Sequence, residues 1–157
     1  MADILDTGFN GLRELLVFLT NRSKSKDVLA NNILRELRDN LSLLEHRNAA
    51  GVDQKALVHA LQSDAIEKAF TANYNFNQLT SKRKLSNTML LNPANPKYLH
   101  WDMQRFIYSI EGKINDLKHI YVIYPDITLA PVNITQRLNN LFYQLLQLSA
   151  FVYGTRK

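Results

Sequence analysis

Apolar residues recur along the chain at alternating steps of four and three residues, the spacing that gives an α-helix one buried side. Four segments carry this pattern, namely Leu5–Leu19, Ala30–Leu44, Met103–Tyr121 and Ile134–Val152. A pattern repeated over four windows of this length is typical of amphipathic helices packed around a common core. The sequence therefore predicts an all-α protein.

The expected helix boundaries follow from local chemistry. Asp27, Asp102 and Asn133 each precede an apolar stripe, and their short side chains can accept the free N–H groups of a first helical turn. Pro125 stops the third helix, and Gly154 closes the end of the fourth. The expected helices span about 4–20, 27–47, 102–124 and 133–153.

Helices of similar length with near-heptad spacing favour a four-helix bundle packed at small crossing angles. The links at 21–26 and 126–132 are short, so each pair of helices that they join is expected to be antiparallel. The length of 157 residues corresponds to one domain. We therefore expect residues 1–157 to form a single helical-bundle domain.

Residues 49–101 interrupt this scheme as a long crossover insertion. Asp53 can cap a short helix that runs through Gln62, and Asp64 with Glu67 has the spacing of a capping box, with Asp64 as the N-cap of a second helix that ends near Thr71. The remainder is rich in Asn and contains two Pro, a composition that disfavours regular structure. Connections of this length within a compact domain are more often functional or disordered than neutral.

Composition excludes several classes of function. The chain has no Cys, which excludes a disulfide framework, a thiolate zinc site and a Cys nucleophile. Its longest apolar run, Leu15–Leu19, is far shorter than the roughly 20 residues of a membrane span. It begins Met1-Ala2-Asp3 without a basic segment, so we expect no secretory signal and a cytoplasmic location. No Glu-x-x-His pair or Gly-rich phosphate loop occurs, so neither a metal nor a cofactor is expected.

The net charge of +5 is concentrated in residues 68–101, which contain five basic residues and no acidic one. The same stretch is rich in aromatic and amide side chains. In proteins that bind single-stranded nucleic acid, cations bind the phosphates, aromatic rings stack on the base faces, and amides form hydrogen bonds with the base edges. The candidate contacts to RNA or single-stranded DNA are Lys82, Arg83, Lys84, Lys97, Tyr74, Phe76, Tyr98 and Trp101. In the alternative interpretation, the basic run is a solvated turn and the aromatic rings pack the insertion onto the bundle.

The first and fourth helices carry more apolar surface than one buried side requires. A helix that is apolar over more than half its circumference either lies at the centre of the fold or packs against another chain. The leading hypothesis from sequence is a non-enzymatic interaction module that self-associates or binds a protein partner through these terminal helices. Its candidate interface residues are Phe18, Phe142, Leu146 and Phe151. The alternative is that the insertion covers this surface.

A third hypothesis is enzymatic. The expected architecture is similar to that of the HEPN ribonucleases, small helical bundles whose motif is Arg followed after four to six residues by His. No Arg of this chain has His at that spacing; the nearest pair is Arg38 and His46, with seven residues between them. These two residues are the weak catalytic candidates, and otherwise no chemistry is expected of the chain.

Overall fold

A computed structural model describes residues 8–22, 27–80 and 83–154. Within these ranges the chain is all-helical, which confirms the predicted class. The α-helices are α1 (Gly8–Arg22), α2 (Val28–Leu44), α3 (Gln54–Ala60), α4 (Asp64–Thr71), α5 (Met103–Ile123) and α6 (Ile134–Gly154). Short 3-10 turns occur at Phe76–Thr80, Asn87–Met89 and Ile127–Leu129. Residues 4–7, where the first predicted helix begins, lie outside the described residues.

The predicted caps of the long helices are present. Side-chain oxygens of Asp27, Asp102 and Asn133 each accept the backbone N–H three residues further on, at 3.0, 2.9 and 3.0 Å. Each cap satisfies one of the N–H groups that a first helical turn leaves without a backbone partner. Helix α5 ends two residues before Pro125, as expected for a residue that cannot continue a helix.

The first short helix of the insertion also starts where predicted. Asp53 Oδ1 accepts the N–H groups of Lys55 and Ala56 at 3.0 and 3.3 Å. The helix ends at Ala60 rather than Gln62, because residue 61 has extended backbone. The Gln62 N–H then donates to Asn40 Oδ1 at 2.8 Å, which ties the end of this segment to α2.

The predicted start of α4 was wrong by one residue. Ser63, not Asp64, is the N-cap, and its hydroxyl donates to the Glu67 carboxylate at 3.1 Å. The N–H groups of residues 65–66 donate to the buried carboxylate of Glu36 on α2, at 2.7 and 3.2 Å. Glu36, which is distant in sequence, therefore caps the first turn of α4, the role that the local sequence predicted for Asp64.

Helix α6 lies at the centre of the fold. It contacts α1, α2 and α5, and also the turns Phe76–Thr80 and Asn87–Met89 of the insertion. The insertion is part of the core: α3 contacts both α2 and α5, and α4 packs on α2. Its buried apolar side chains are Leu57, Val58, Leu61, Ile66, Ala69, Phe76, Leu79 and Leu85.

This central position corrects the predicted interface. Phe142, Leu146 and Phe151 are only 7%, 2% and 0% exposed, so they are not available to a second chain in this fold. They are covered because α6 is surrounded by three long helices and by the insertion. Phe18 is half-buried, with its ring packed edge-on against Tyr153 at 5.1 Å between centroids.

Candidate nucleic-acid interface

Two aromatic side chains pack against each other at the start of α5, and each has a cation beside it. The guanidinium carbon of Arg105 lies 4.2 Å from the centroid of the Trp101 ring. The Trp101 and Tyr98 rings pack edge-on at 4.9 Å, and Lys97 Nζ lies 5.5 Å from the Tyr98 ring. Both cations are exposed and both rings are half-buried. We call these four residues the basic–aromatic strip.

The strip is held by the core beneath it and by a tight backbone reversal. The buried Phe106 ring packs against Tyr98 and Trp101 at 5.4 and 5.2 Å. His100 adopts a left-handed backbone with φ of 69°, and its N–H donates to the Leu85 carbonyl at 2.9 Å. The Leu85 N–H donates in turn to the Trp101 carbonyl at 2.8 Å. These contacts fix the two rings before any ligand binds.

The basic run of the insertion lies beside one end of the strip. Lys84 forms an isolated antiparallel bridge with Asp102, the residue that follows Trp101. Arg83 and Lys84 are both exposed. Lys82, the third member of the predicted run, lies outside the described residues.

A polar groove continues from the other end of the strip. Its first part, the tyrosine pocket, has a volume of about 370 Å³. Its second part, the lysine pocket, has a volume of about 440 Å³. Lys97 and Asn140 line both pockets, so the two adjoin at the Lys97 end of the strip, and we refer to them together as the groove. Each volume falls in the range of small-ligand sites.

The tyrosine pocket is built by a side-chain clamp between α6 and the insertion. The Gln147 side chain is buried; its Oε1 accepts the Leu91 N–H at 2.9 Å, and its Nε2 donates to the Met89 carbonyl at 3.0 Å. This pair of bonds holds residues 89–91 against α6. The polar and aromatic side chains that line the pocket are Asn92, Asn95, Lys97, Tyr98, Asn140, Tyr143 and Gln147.

Tyr143 supplies an exposed ring to this pocket. It is 43% exposed and packs edge-on against the Phe142 ring at 5.7 Å. The Arg47 guanidinium lies over Phe142 at 3.8 Å and donates to Asn139 Oδ1 at 2.7 Å. Tyr143 is therefore supported from behind while its outer surface stays open to a ligand.

The lysine pocket carries a marked excess of positive charge. Lys97, Lys113 and Arg137 line it together with one carboxylate, that of Asp116. Among the described residues the ion pair within 4.0 Å is Arg38–Asp39, so none of these three cations is paired at that distance. Burial, together with the positive charge of Lys97, lowers the pKa of Lys113 from 10.5 to about 8. Such a group is crowded by like charge and is stabilised by an anion.

Two predicted contacts are not in this interface. Phe76 is only 2% exposed and packs edge-on against Phe70 and Tyr74, at 5.1 and 5.5 Å. Its prediction as a base-stacking residue is wrong, because the ring belongs to the core. The Tyr74 hydroxyl donates to Asp27 at 3.2 Å, and burial raises the pKa of Tyr74 to about 12. These rings form a separate aromatic cluster that packs the insertion down.

Sequence analysis missed the part of the groove that α5 and α6 contribute. The missed residues are Lys113, Asn133, Gln136, Arg137, Asn140 and Tyr143. The α6 members follow helical spacing, at 133, 136, 137 and 140, which is a recognisable polar stripe on one face. All the missed residues lie outside the acidic-free segment 68–101, on which the sequence-based prediction of the interface rested.

The weak catalytic candidates are not brought together. Arg38 donates to Asp39 Oδ1 at 3.0 and 2.6 Å and to Thr20 Oγ1 at 3.2 Å, so its guanidinium is engaged elsewhere. His46 is exposed beyond the last residue of α2, about 12 Å from Arg38 at the helical rise. No hydrogen bond or ion pair links the two side chains in the described part of the chain.

Within 8–22, 27–80 and 83–154, no three His, Asp or Glu side chains are grouped so that they could hold a metal ion. None of the helices in these ranges combines the length and apolarity needed to cross a membrane.

Comparisons of the chain with protein-family models, with curated proteins and with solved structures found no match.

Proposed function

We propose that this protein binds single-stranded nucleic acid, RNA or DNA, along the basic–aromatic strip and into the polar groove. The observation that carries the proposal is the contact series Arg105, Trp101, Tyr98 and Lys97, in which two packed rings have a cation at each end. Single-stranded nucleic acid presents the complementary series, with phosphates along the backbone and the faces of unpaired bases beside it. The amide-lined tyrosine pocket extends this surface with groups that can bond base edges.

A single strand fits this surface better than a duplex. In a duplex the base faces are stacked on one another, so exposed rings on a protein have no base face to meet. Tyr98, Trp101 and Tyr143 each present part of a ring at the surface, and Lys97 and Arg105 place charges beside the first two. We therefore expect this protein to bind unpaired RNA or DNA more tightly than duplex DNA.

The sequence contains a single tryptophan, Trp101, so its intrinsic fluorescence reports on the strip without a label. We expect titration with a single-stranded oligonucleotide to quench Trp101 emission, because a stacked base changes the environment of the indole. A saturable quench with single strands and none with duplex DNA supports the proposal. Unchanged emission over the titration contradicts it at this site.

Charge reversal on the strip provides the first prediction. We expect the double variant Lys97→Glu, Arg105→Glu to lose at least about tenfold in affinity, because two phosphate contacts are replaced by repulsion. The matched control is Lys55→Glu, Lys68→Glu, which changes net charge equally at exposed sites on α3 and α4. Fluorescence anisotropy measures both variants.

The control decides how that result is interpreted. If the control pair loses as much affinity as the strip pair, binding follows net charge and the assignment to the strip is wrong. Melting curves for both variants establish that each is folded, since all four side chains are exposed.

Other sequence-based predictions accompany this proposal. The long helices α1, α2, α5 and α6 are proposed as a four-helix bundle with 49–101 as its crossover insertion; contacts of α1 with α2, α5 with α6, and α6 with α1 and α2 support this. Self-association or binding of a protein partner, without Phe142, Leu146 and Phe151 as contacts, stays a prediction, as do ribonuclease activity and a cytoplasmic location. Sedimentation, an RNA cleavage assay with His46→Ala, and cell fractionation test them in turn.

A further inference from the structure

The lysine pocket differs from the strip in one respect: its cations converge instead of being laid out in a row. Lys113 comes from α5, Arg137 from α6 and Lys97 from the end of the insertion, where it is also a member of the strip. Three separate elements thus bring positive charge to one concavity of about 440 Å³. The carboxylate among its lining residues is that of Asp116.

The charge of the pocket indicates the ligand. Three cations and one carboxylate leave an excess of two positive charges. An internal phosphodiester of a nucleic acid carries one negative charge, which the exposed cations of the strip can meet. A phosphate monoester carries about 1.5 to 2 negative charges at neutral pH and three strong acceptor oxygens.

We infer that the lysine pocket binds a terminal phosphate monoester of the strand, held by Lys97, Lys113 and Arg137. This inference rests on the proposed function, because the strip carries the rest of the strand. Lys97 belongs to both the strip and the pocket, so a strand that follows the strip ends in the pocket. The amide side chains of Gln136 and Asn140 line the same pocket and can donate to phosphate oxygens.

The test compares one labelled RNA decamer with three kinds of end: a 5′-phosphate, a 3′-phosphate, and hydroxyl groups at both ends. We expect one of the two phosphorylated forms to bind the wild-type protein roughly tenfold more tightly than the hydroxyl form, as charge-assisted hydrogen bonds to a phosphate imply. The two phosphorylated arms show which end of the strand enters the pocket.

Variants assign that preference to the pocket. Lys113→Gln should bind all three decamers with the affinity that the wild type shows for the hydroxyl form, because the preference is lost. Lys118→Gln, five residues further along α5 and absent from the pocket lining, is the matched control and should keep the preference. If Lys113→Gln does not fold, Arg137→Gln serves instead, since Arg137 is exposed.

The outcomes separate the two proposals. Equal affinity for the three decamers with normal Trp101 quenching overturns the terminal-phosphate inference and leaves the strip proposal in place. A phosphate preference that survives both Lys113→Gln and Arg137→Gln also overturns it. Absence of binding by every decamer overturns both.

Discussion

Two buried glutamines three residues apart on α6 differ in their hydrogen bonding. Gln147 is buried with both ends of its amide bonded, to the Leu91 N–H and the Met89 carbonyl. Gln144 is fully buried, and neither its Oε1 nor its Nε2 has a partner in the described structure. A buried amide without partners loses its hydration and receives nothing in return.

These two sites give matched predictions. Gln144→Met should raise the free energy of unfolding by about 1–3 kcal/mol, because an unbonded amide is replaced by an apolar side chain of similar shape. Gln147→Met should lower it by about 1–3 kcal/mol, because the Leu91 N–H and the Met89 carbonyl lose their partner. Urea denaturation of the two variants measures both. A loss of stability in Gln144→Met contradicts the first prediction.

Lys113 is predicted to titrate in the neutral range. Its pKa of about 8 arises first from burial and then from the charge of Lys97. Arg137 on α6 and Asp116 on α5 also line its pocket. The Lys113 ammonium is therefore charged well below pH 8 and loses its proton as pH rises through that value.

Pulsed acetylation at a series of pH values, with each lysine identified by mass spectrometry, measures this pKa directly. We expect half-maximal reactivity of Lys113 near pH 8. Lys97→Gln should shift that midpoint upward, because a repelling charge is removed. A midpoint close to 10.5 in the wild-type protein would falsify the description of the pocket.

Helix α4 shows how much of an element can be read from its own sequence. Its end at Thr71 follows from the local pattern and is as expected. Its start depends on Glu36, about 30 positions earlier, whose carboxylate accepts two backbone N–H groups of the first turn. No local signal marks that contact, since it exists only after α2 and α4 have packed together.

Glu36 gives a pH prediction for this packing. Burial, the largest effect, raises the pKa of Glu36 above 4.5 in spite of the bonds from Ala65 and Ile66. Its folded-state pKa thus exceeds the unfolded value, so its contribution to stability is complete below pH 4.5 and is lost as pH rises through the raised value. Asp64 and Glu67 add to the shift by repulsion.

The comparison with Glu36→Gln isolates this effect, because the amide does not titrate. We expect the difference in unfolding free energy, wild type minus variant, to fall as pH rises from 4.5 through the raised pKa of Glu36. Urea denaturation at several pH values measures it. A difference that grows with pH means that the carboxylate is stabilised by its hydrogen bonds more than it is penalised by burial.

The sequence of α6 shows that the helix has more apolar surface than one buried side requires, but it does not show what packs on that surface. Periodicity correctly predicted the side of α6 that faces the core. Phe142, Leu146 and Phe151 lie off that pattern and are buried as well. What covers them is the tertiary arrangement, including the insertion, which was the alternative interpretation from sequence. Lys113 and Arg137 were missed for the same reason, since they join Lys97 only across separate elements.

At the scale of the whole molecule, the positive charge is distributed as a surface that leads into a pocket. The acidic-free segment supplies Lys97, α5 supplies Arg105 and Lys113, and α6 supplies Arg137. Composition correctly located the excess charge near the insertion. It did not show that two long helices complete the surface, because their cations lie outside the acidic-free segment and join Lys97 only in the folded chain.

The central claim is that these cations neutralise the phosphates of a single strand. Binding of a labelled single-stranded oligonucleotide, followed by anisotropy from about 50 to 200 mM salt, tests it most directly. With about four phosphates contacted, the logarithm of the affinity should fall against the logarithm of the salt concentration with a slope of about −3, at roughly 0.7 per contact. A slope near zero, or no binding at about 50 mM salt, would contradict the claim.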